Sequence, residues 1–212
     1  MKRVISGNDD LHGNVPDHSP VVLILVDVLN DLDFPGSQSI VRIASSLSGN
    51  IARLKKRCSR AGIPTIYVND NHAKWRSDFT AVVTHCRQKD VPGRALVEPL
   101  LPSPDDYIVL KPKHSAFYST PLDTLLSYFL ARAVILAGIT TDACILTTAC
   151  EIHVRDLKLF VPSDCVAAIN PRMHKIAMEL MENSLGARTT TSSRLNLKEI
   201  AGDKQLNKEG RS

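Results

Sequence analysis

One stretch constrains this chain more than any other: Val134-Ile-Leu-Ala-Gly-Ile-Thr-Thr-Asp-Ala-Cys144-Ile-Leu-Thr-Thr-Ala149. An apolar, β-prone run reaches Gly138, a short polar turn follows, and a helical pattern begins near Cys144. A strand that passes so directly into a helix is the repeating step of an α/β fold. A cysteine at such a helix start sits among unpaired backbone N–H groups, at the positive end of the helix dipole. That setting favours the thiolate, the nucleophilic form, and its N–H groups can hold a developing oxyanion. The same position also suits a free cysteine acting as a small buried hydrophobe, so both readings stand at this point.

The rest of the chain repeats the pattern. Strand-like runs cover 21–27, 65–69, 107–110, 133–137 and 157–161, with 189–191 as a sixth. Between them, Ile40, Ile43, Leu47, Ile51, Leu54 and Cys58 recur at steps of three and four, and Gly62 with Pro64 ends that helix. Further helices are expected over 122–131, from Cys144 to about 153, and from Pro171, a first-turn proline, to 184. The polar segment 70–90 leaves room for one short helix. Alternation of this kind predicts a three-layer α/β/α, Rossmann-like fold with a mostly parallel sheet of about six strands. Residues 1–19 carry breakers and read as a flexible arm, 20–200 as the domain, and 201–212 as a polar tail.

Two other strands end in chemistry. Val21-Val-Leu-Ile-Leu-Val-Asp27 exits on a carboxylate, and Tyr107-Ile-Val-Leu-Lys111 on a lysine. In an open parallel sheet, ligands bind at the carboxyl ends of the strands. Asp27, Lys111 and Cys144 therefore all face one edge, where an acid, a cation and a thiol form a base, a charge stabiliser and a nucleophile. Singly, Asp27 also fits a turn or cap, and Lys111 a solvated strand end.

These segments, "VDVLND", "LKPKHSAF" and "GITTDAC", resemble in order those of the isochorismatase-like cysteine hydrolases. The similarity extends over about residues 18–195. It implies an Asp–Lys–Cys triad at Asp27, Lys111 and Cys144, and a non-proline cis peptide between Ile139 and Thr140. In this reading Asp27 takes the thiol proton and returns it to the leaving group. Lys111 keeps Asp27 ionised, and the N–H groups of Thr140 and Cys144 receive the oxyanion. The activity implied is hydrolysis of a small amide or carbamoyl C–N bond through a thioester. An isochorismatase-type cleavage of a vinyl ether is the alternative, and a non-catalytic Rossmann-like binding module is another. Nicotinamidases of the family hold a metal through an Asp-x-His pair and further histidines. Here Asp70-Asn-His72 supplies one carboxylate and one imidazole, with His85 thirteen residues on, which does not close a site. No metal and no cofactor are expected.

Phe34, Trp75, Phe117 and Tyr118 fall in the loops after strands one to three. They are expected to offer an apolar wall to a substrate, with core packing as the competing role. Lys113 and His114 are placed to meet an anionic substrate or simply solvent. Asp142 reads as a first-turn helix charge. Cys150 and Cys58 read as packing, while Cys86 and Cys165 lack a base or have an unfavourable neighbour in Asp164.

The remaining composition excludes more than it assigns. Net charge is +4 with no basic run, so the small-molecule substrate is the expected partner, not nucleic acid. No signal-like or membrane-spanning run occurs, and five cysteines without metal spacing suit a reduced cytoplasmic chain. There is no GxGxxG, Walker A or GxSxG segment. Apolar Ile145, Leu146, Ala149 and Ile152 after Cys144, together with the arm, suggest a homodimer or homotetramer.

Overall fold

The structure, a computed structural model, describes residues 18–70 and 78–202. Most of the expected arm and tail, and Trp75 and His72 with them, lie outside the described residues.

Six parallel strands form the sheet: β1 (Val21–Val26), β2 (Thr65–Asp70), β3 (Tyr107–Lys111), β4 (Ala133–Ile139), β5 (Lys158–Phe160) and β6 (Val166–Ala167). Their order is β3-β2-β1-β4-β5, with β6 pairing β4 beyond the short β5. The sixth strand is thus 166–167 and not 189–191. Only one bridge joins that later segment to the sheet, Phe160 to Arg188. Helices cover the faces: α1 (Gln38–Arg60), α2 (Phe79–Cys86), α3 (Arg94–Val97), α4 (Leu122–Phe129), α5 (Leu146–Val154), α6 (Pro171–Asn183) and α7 (Leu197–Gly202). No helix among the described residues is long and apolar enough to cross a membrane.

The central strands β1 and β4 are apolar and buried throughout because both faces are covered. Side chains alternate across a strand, and β1 shows the result. Val21, Leu23 and Leu25 enter the core under α1, while Val22, Ile24 and Val26 enter the core under α4 and α5. Ile145, Ala149 and Ile152 are fully buried in the second core. They are therefore not surplus apolar surface, and the expected assembly loses that support.

Chain order runs β1, β2, β3 outward in one direction and β4, β5 in the other. The reversal falls between β1 and β4, the kind of switch point at which an open α/β sheet leaves a crevice. Gly138 sets how closely the two strands meet there. It pairs with Val26 and has φ +129°, and a Cβ on it would lie 2.0 Å from the Val26 carbonyl oxygen. Only glycine fits that backbone contact.

Candidate active site

Asp27 follows β1 directly and adopts φ 52°, a left-handed conformation that aspartate tolerates better than most residues. Its backbone N–H donates to the Val68 carbonyl at 3.0 Å. Its carboxylate is held twice: the Asp70 N–H donates to Oδ1 at 2.8 Å, and Lys111 Nζ lies 2.8 Å from Oδ2. Asn69 fixes the loop beyond. Its Nδ2 donates to the Leu29 carbonyl, and its Oδ1 accepts from the Leu29 N–H.

Lys111 closes β3 and is fully buried. A buried ammonium needs paired acceptors, and this one has them. Besides Asp27, Nζ donates to the Lys113 carbonyl at 3.1 Å, lies 3.9 Å from Asp70 Oδ2, and lies 3.5 Å from Cys144 Sγ. Burial works to lower its pKa, but Asp27, Cys144 and Asp70 outweigh burial and raise it. Burial pushes the Asp27 carboxyl up, against the pull of Lys111.

β4 leads into Cys144 through a cis peptide between Ile139 and Thr140. The next turn, Thr141–Ile145, is π-helical and passes into α5. The N–H groups of Ala143 and Ile145 both donate to the Thr140 carbonyl. Buried Thr141 bonds through Oγ1 to His174 Nδ1 of α6 at 2.9 Å. Burial lowers the pKa of that imidazole, with Asp142 opposing. Asp142 thus belongs to the support of the turn.

The thiol departs from the helix-start expectation. Burial, and then the Asp27 charge, push it up to about 12, with Lys111 opposing. Desolvation penalises the charged thiolate, and the nearby carboxylate adds to that penalty. The resting sulfur is therefore a protonated thiol beside an ion pair.

The loop after β3 changes several assignments. Ser115 Oγ accepts from the Phe117 and Tyr118 N–H groups, and Thr148 Oγ1 of α5 accepts from the Ala116 N–H. This folds Phe117 into the second core, with the Arg155 guanidinium 4.1 Å from its ring centre. Phe117 is core and not pocket wall. Phe34 packs against the first core, and Tyr118 is exposed. The same fold brings His114, itself exposed, to the sulfur, with Nδ1 3.4 Å from Cys144 Sγ. Sequence adjacency to Lys111 hinted at His114 but gave no sign of that contact. Cys150, expected to pack, is exposed, and Cys86 lies on the buried side of α2.

The Isochorismatase domain model matches residues 21–193. An uncharacterized isochorismatase family protein, YaaI, of Bacillus subtilis is 32% identical over 176 residues, covering 82% of this chain and 94% of its own. The ureidoacrylate amidohydrolase RutB of Methylobacterium radiotolerans is 27% identical, over 80% of this chain and 76% of its own. Among solved structures, N-carbamoylsarcosine amidase from Thermoplasma acidophilum superposes with a TM-score of 0.62. It is 25% identical, with 83% of this chain and 98% of that one covered.

Proposed function

The chain belongs to the isochorismatase family and is a hydrolase, and from that premise we propose that it cleaves a small amide or carbamoyl C–N bond through a thioester at Cys144. One observation carries this reading. A fully buried ammonium, Lys111, lies 2.8 Å from a carboxylate and 3.5 Å from a thiol at the switch point of the sheet. A structural ion pair has no need of the sulfur, whereas acyl transfer needs all three groups. The names of the ureidoacrylate amidohydrolase and the N-carbamoylsarcosine amidase support the C–N class.

Asp27 takes the thiol proton, and the thiolate attacks the carbonyl carbon. A C–S bond forms, and the C=O π pair moves to oxygen. The Thr140 and Cys144 N–H groups receive that oxyanion. The amine leaves with the proton held by Asp27. Water then loses a proton to Asp27 and attacks the thioester, which releases the acid and returns the thiol. The proton affinity that burial gives Asp27 suits this relay. Lys111 holds Asp27 in place and offsets negative charge throughout.

A panel of small primary amides, ureas and carbamoyl compounds tests the proposal, with the acyl-enzyme trapped and weighed. The expected result is ammonia or amine release together with an adduct on Cys144. Turnover confined to a vinyl ether and indifferent to Cys144→Ala would replace it.

A further inference from the structure

Three groups touch or flank the Cys144 sulfur from below: Asp27 after β1, Lys111 at the end of β3, and Asp70 of β2 behind the lysine. Asp27 and Asp70 both lie against Lys111, so one ammonium is shared between two carboxylates. Among the described residues the cationic contact of the sulfur is Lys111, and that ammonium already serves Asp27 and the Lys113 carbonyl. Exposed His114 also reaches the sulfur, with Nδ1 3.4 Å away. The backbone just beyond it is held by Ser115 and by Thr148 of α5, which fixes the loop from which His114 projects.

We propose that His114 is a further catalytic residue of this site: its Nδ1–H donates to the Cys144 sulfur and stabilises the thiolate once the thiol proton has passed to Asp27. This rests on the reading of Cys144 as nucleophile. Passing the proton to Asp27 leaves the net charge of the site unchanged, but it moves a negative charge from a carboxylate that Lys111 and the Asp70 N–H hold onto a buried sulfur, which then needs a donor of its own. His114 Nδ1 is a donor within reach of that sulfur, beyond those that already serve the carboxylate. Histidine suits the role because its ring carries an N–H donor that can be placed on Nδ1.

The test follows alkylation of Cys144 by iodoacetamide from pH 6 to 10, read by peptide mass on the full chain. A Cys150→Ser background removes the exposed competing thiol. His114→Phe is expected to slow alkylation about tenfold and to displace the profile about one pH unit upward, the scale of one hydrogen bond to a charged atom. His114→Gln keeps an N–H donor on a side chain of similar reach, and is expected to recover part of the loss. A merely structural role for His114 would not move the profile and would not be rescued by glutamine. Superimposable profiles for wild type and His114→Phe overturn the proposal. Hydrolysis measured in parallel separates the two readings. Activity that survives Cys144→Ala sinks the nucleophile itself, whereas activity that needs Cys144, together with superimposable profiles, sinks the role of His114 alone.

Discussion

Cys144 and Cys165 make a natural experiment within one sheet. Both are buried, both follow a strand, and both stand beside an aspartate. Burial comes first in raising each thiol, and each is pushed up to about 12. Their surroundings differ. Around Cys165, Asp164 is spent on structure: it accepts from the Ser192 N–H and hydroxyl, and its carbonyl accepts from Asn50 of α1. No ammonium touches that sulfur among the described contacts: Asp164 Oδ1 lies at 3.8 Å, the Ser192 side chain bonds it, and the Arg53 charge acts on it. Around Cys144, the aspartate is paired with a buried lysine that also reaches the sulfur, as does a histidine. Burial raises both thiols alike while their neighbours differ, so on the proposed reading it is the partners of Cys144 that set it apart.

The largest expected effect breaks this symmetry directly. Cys144→Ala should lower turnover of an identified amide by at least about 10⁴-fold, the scale of losing a nucleophile. Cys165→Ala should leave turnover within about twofold, and cost stability of the order of 1 kcal/mol for a lost buried sulfur. Steady-state rates and thermal melts on the two variants decide it. Equal loss of activity from both would mean that the contrast in partners carries no functional meaning.

The next effect concerns the partners. Asp27→Asn and Lys111→Met should each lower kcat by at least about 10²-fold, the usual contribution of a positioned acid–base group. Each also leaves a buried charge without its partner, which costs about 3–5 kcal/mol. Asp164→Asn, the matched change at the other cysteine, should cost stability through Ser192 without touching kcat. A kcat for Lys111→Met within threefold of wild type would remove the lysine from the mechanism.

The same contrast explains what the sequence made legible. Strands buried on both faces read as continuous apolar runs, so β1 to β5 and their carboxyl ends could be seen, and with them Asp27, Lys111 and Cys144 at one edge. β6 could not, because two residues, Val166 and Ala167, are too few to show a period. The β-branched run at 189–191 looked better and forms no strand. Phe117 was misplaced because the Ser115 and Thr148 hydrogen bonds that turn it inward come from tertiary contact. The state of the thiol was misjudged for a related reason. A helix start is local and readable, whereas the desolvation that raises the thiol depends on everything packed around the sulfur. His114 at the sulfur depends on the same unreadable loop.

The smallest effect treats the two cysteines as alike and asks whether burial alone governs them. A thiol raised in the folded state from an ordinary value of 9.0 to about 12 holds its proton more tightly folded than unfolded. Below about pH 9 it is protonated in both states, and its contribution to stability is whole. As pH rises from 9 towards 12 the unfolded chain releases the proton first, so stability falls on the order of 1 kcal/mol per pH unit for each such thiol. Cys58, at about 12, and Cys86, at about 11, add to the same alkaline loss. Chemical denaturation between pH 8 and 11 should therefore give a declining stability, and Cys165→Ala should flatten the slope by one thiol's share. Cys144→Ala should flatten it by a similar share while abolishing activity. If Cys144→Ala leaves the alkaline slope unchanged and Cys165→Ala flattens it, the Cys144 sulfur is already ionised near neutral pH. The helix-start account of its reactivity would then replace the protonated thiol described here.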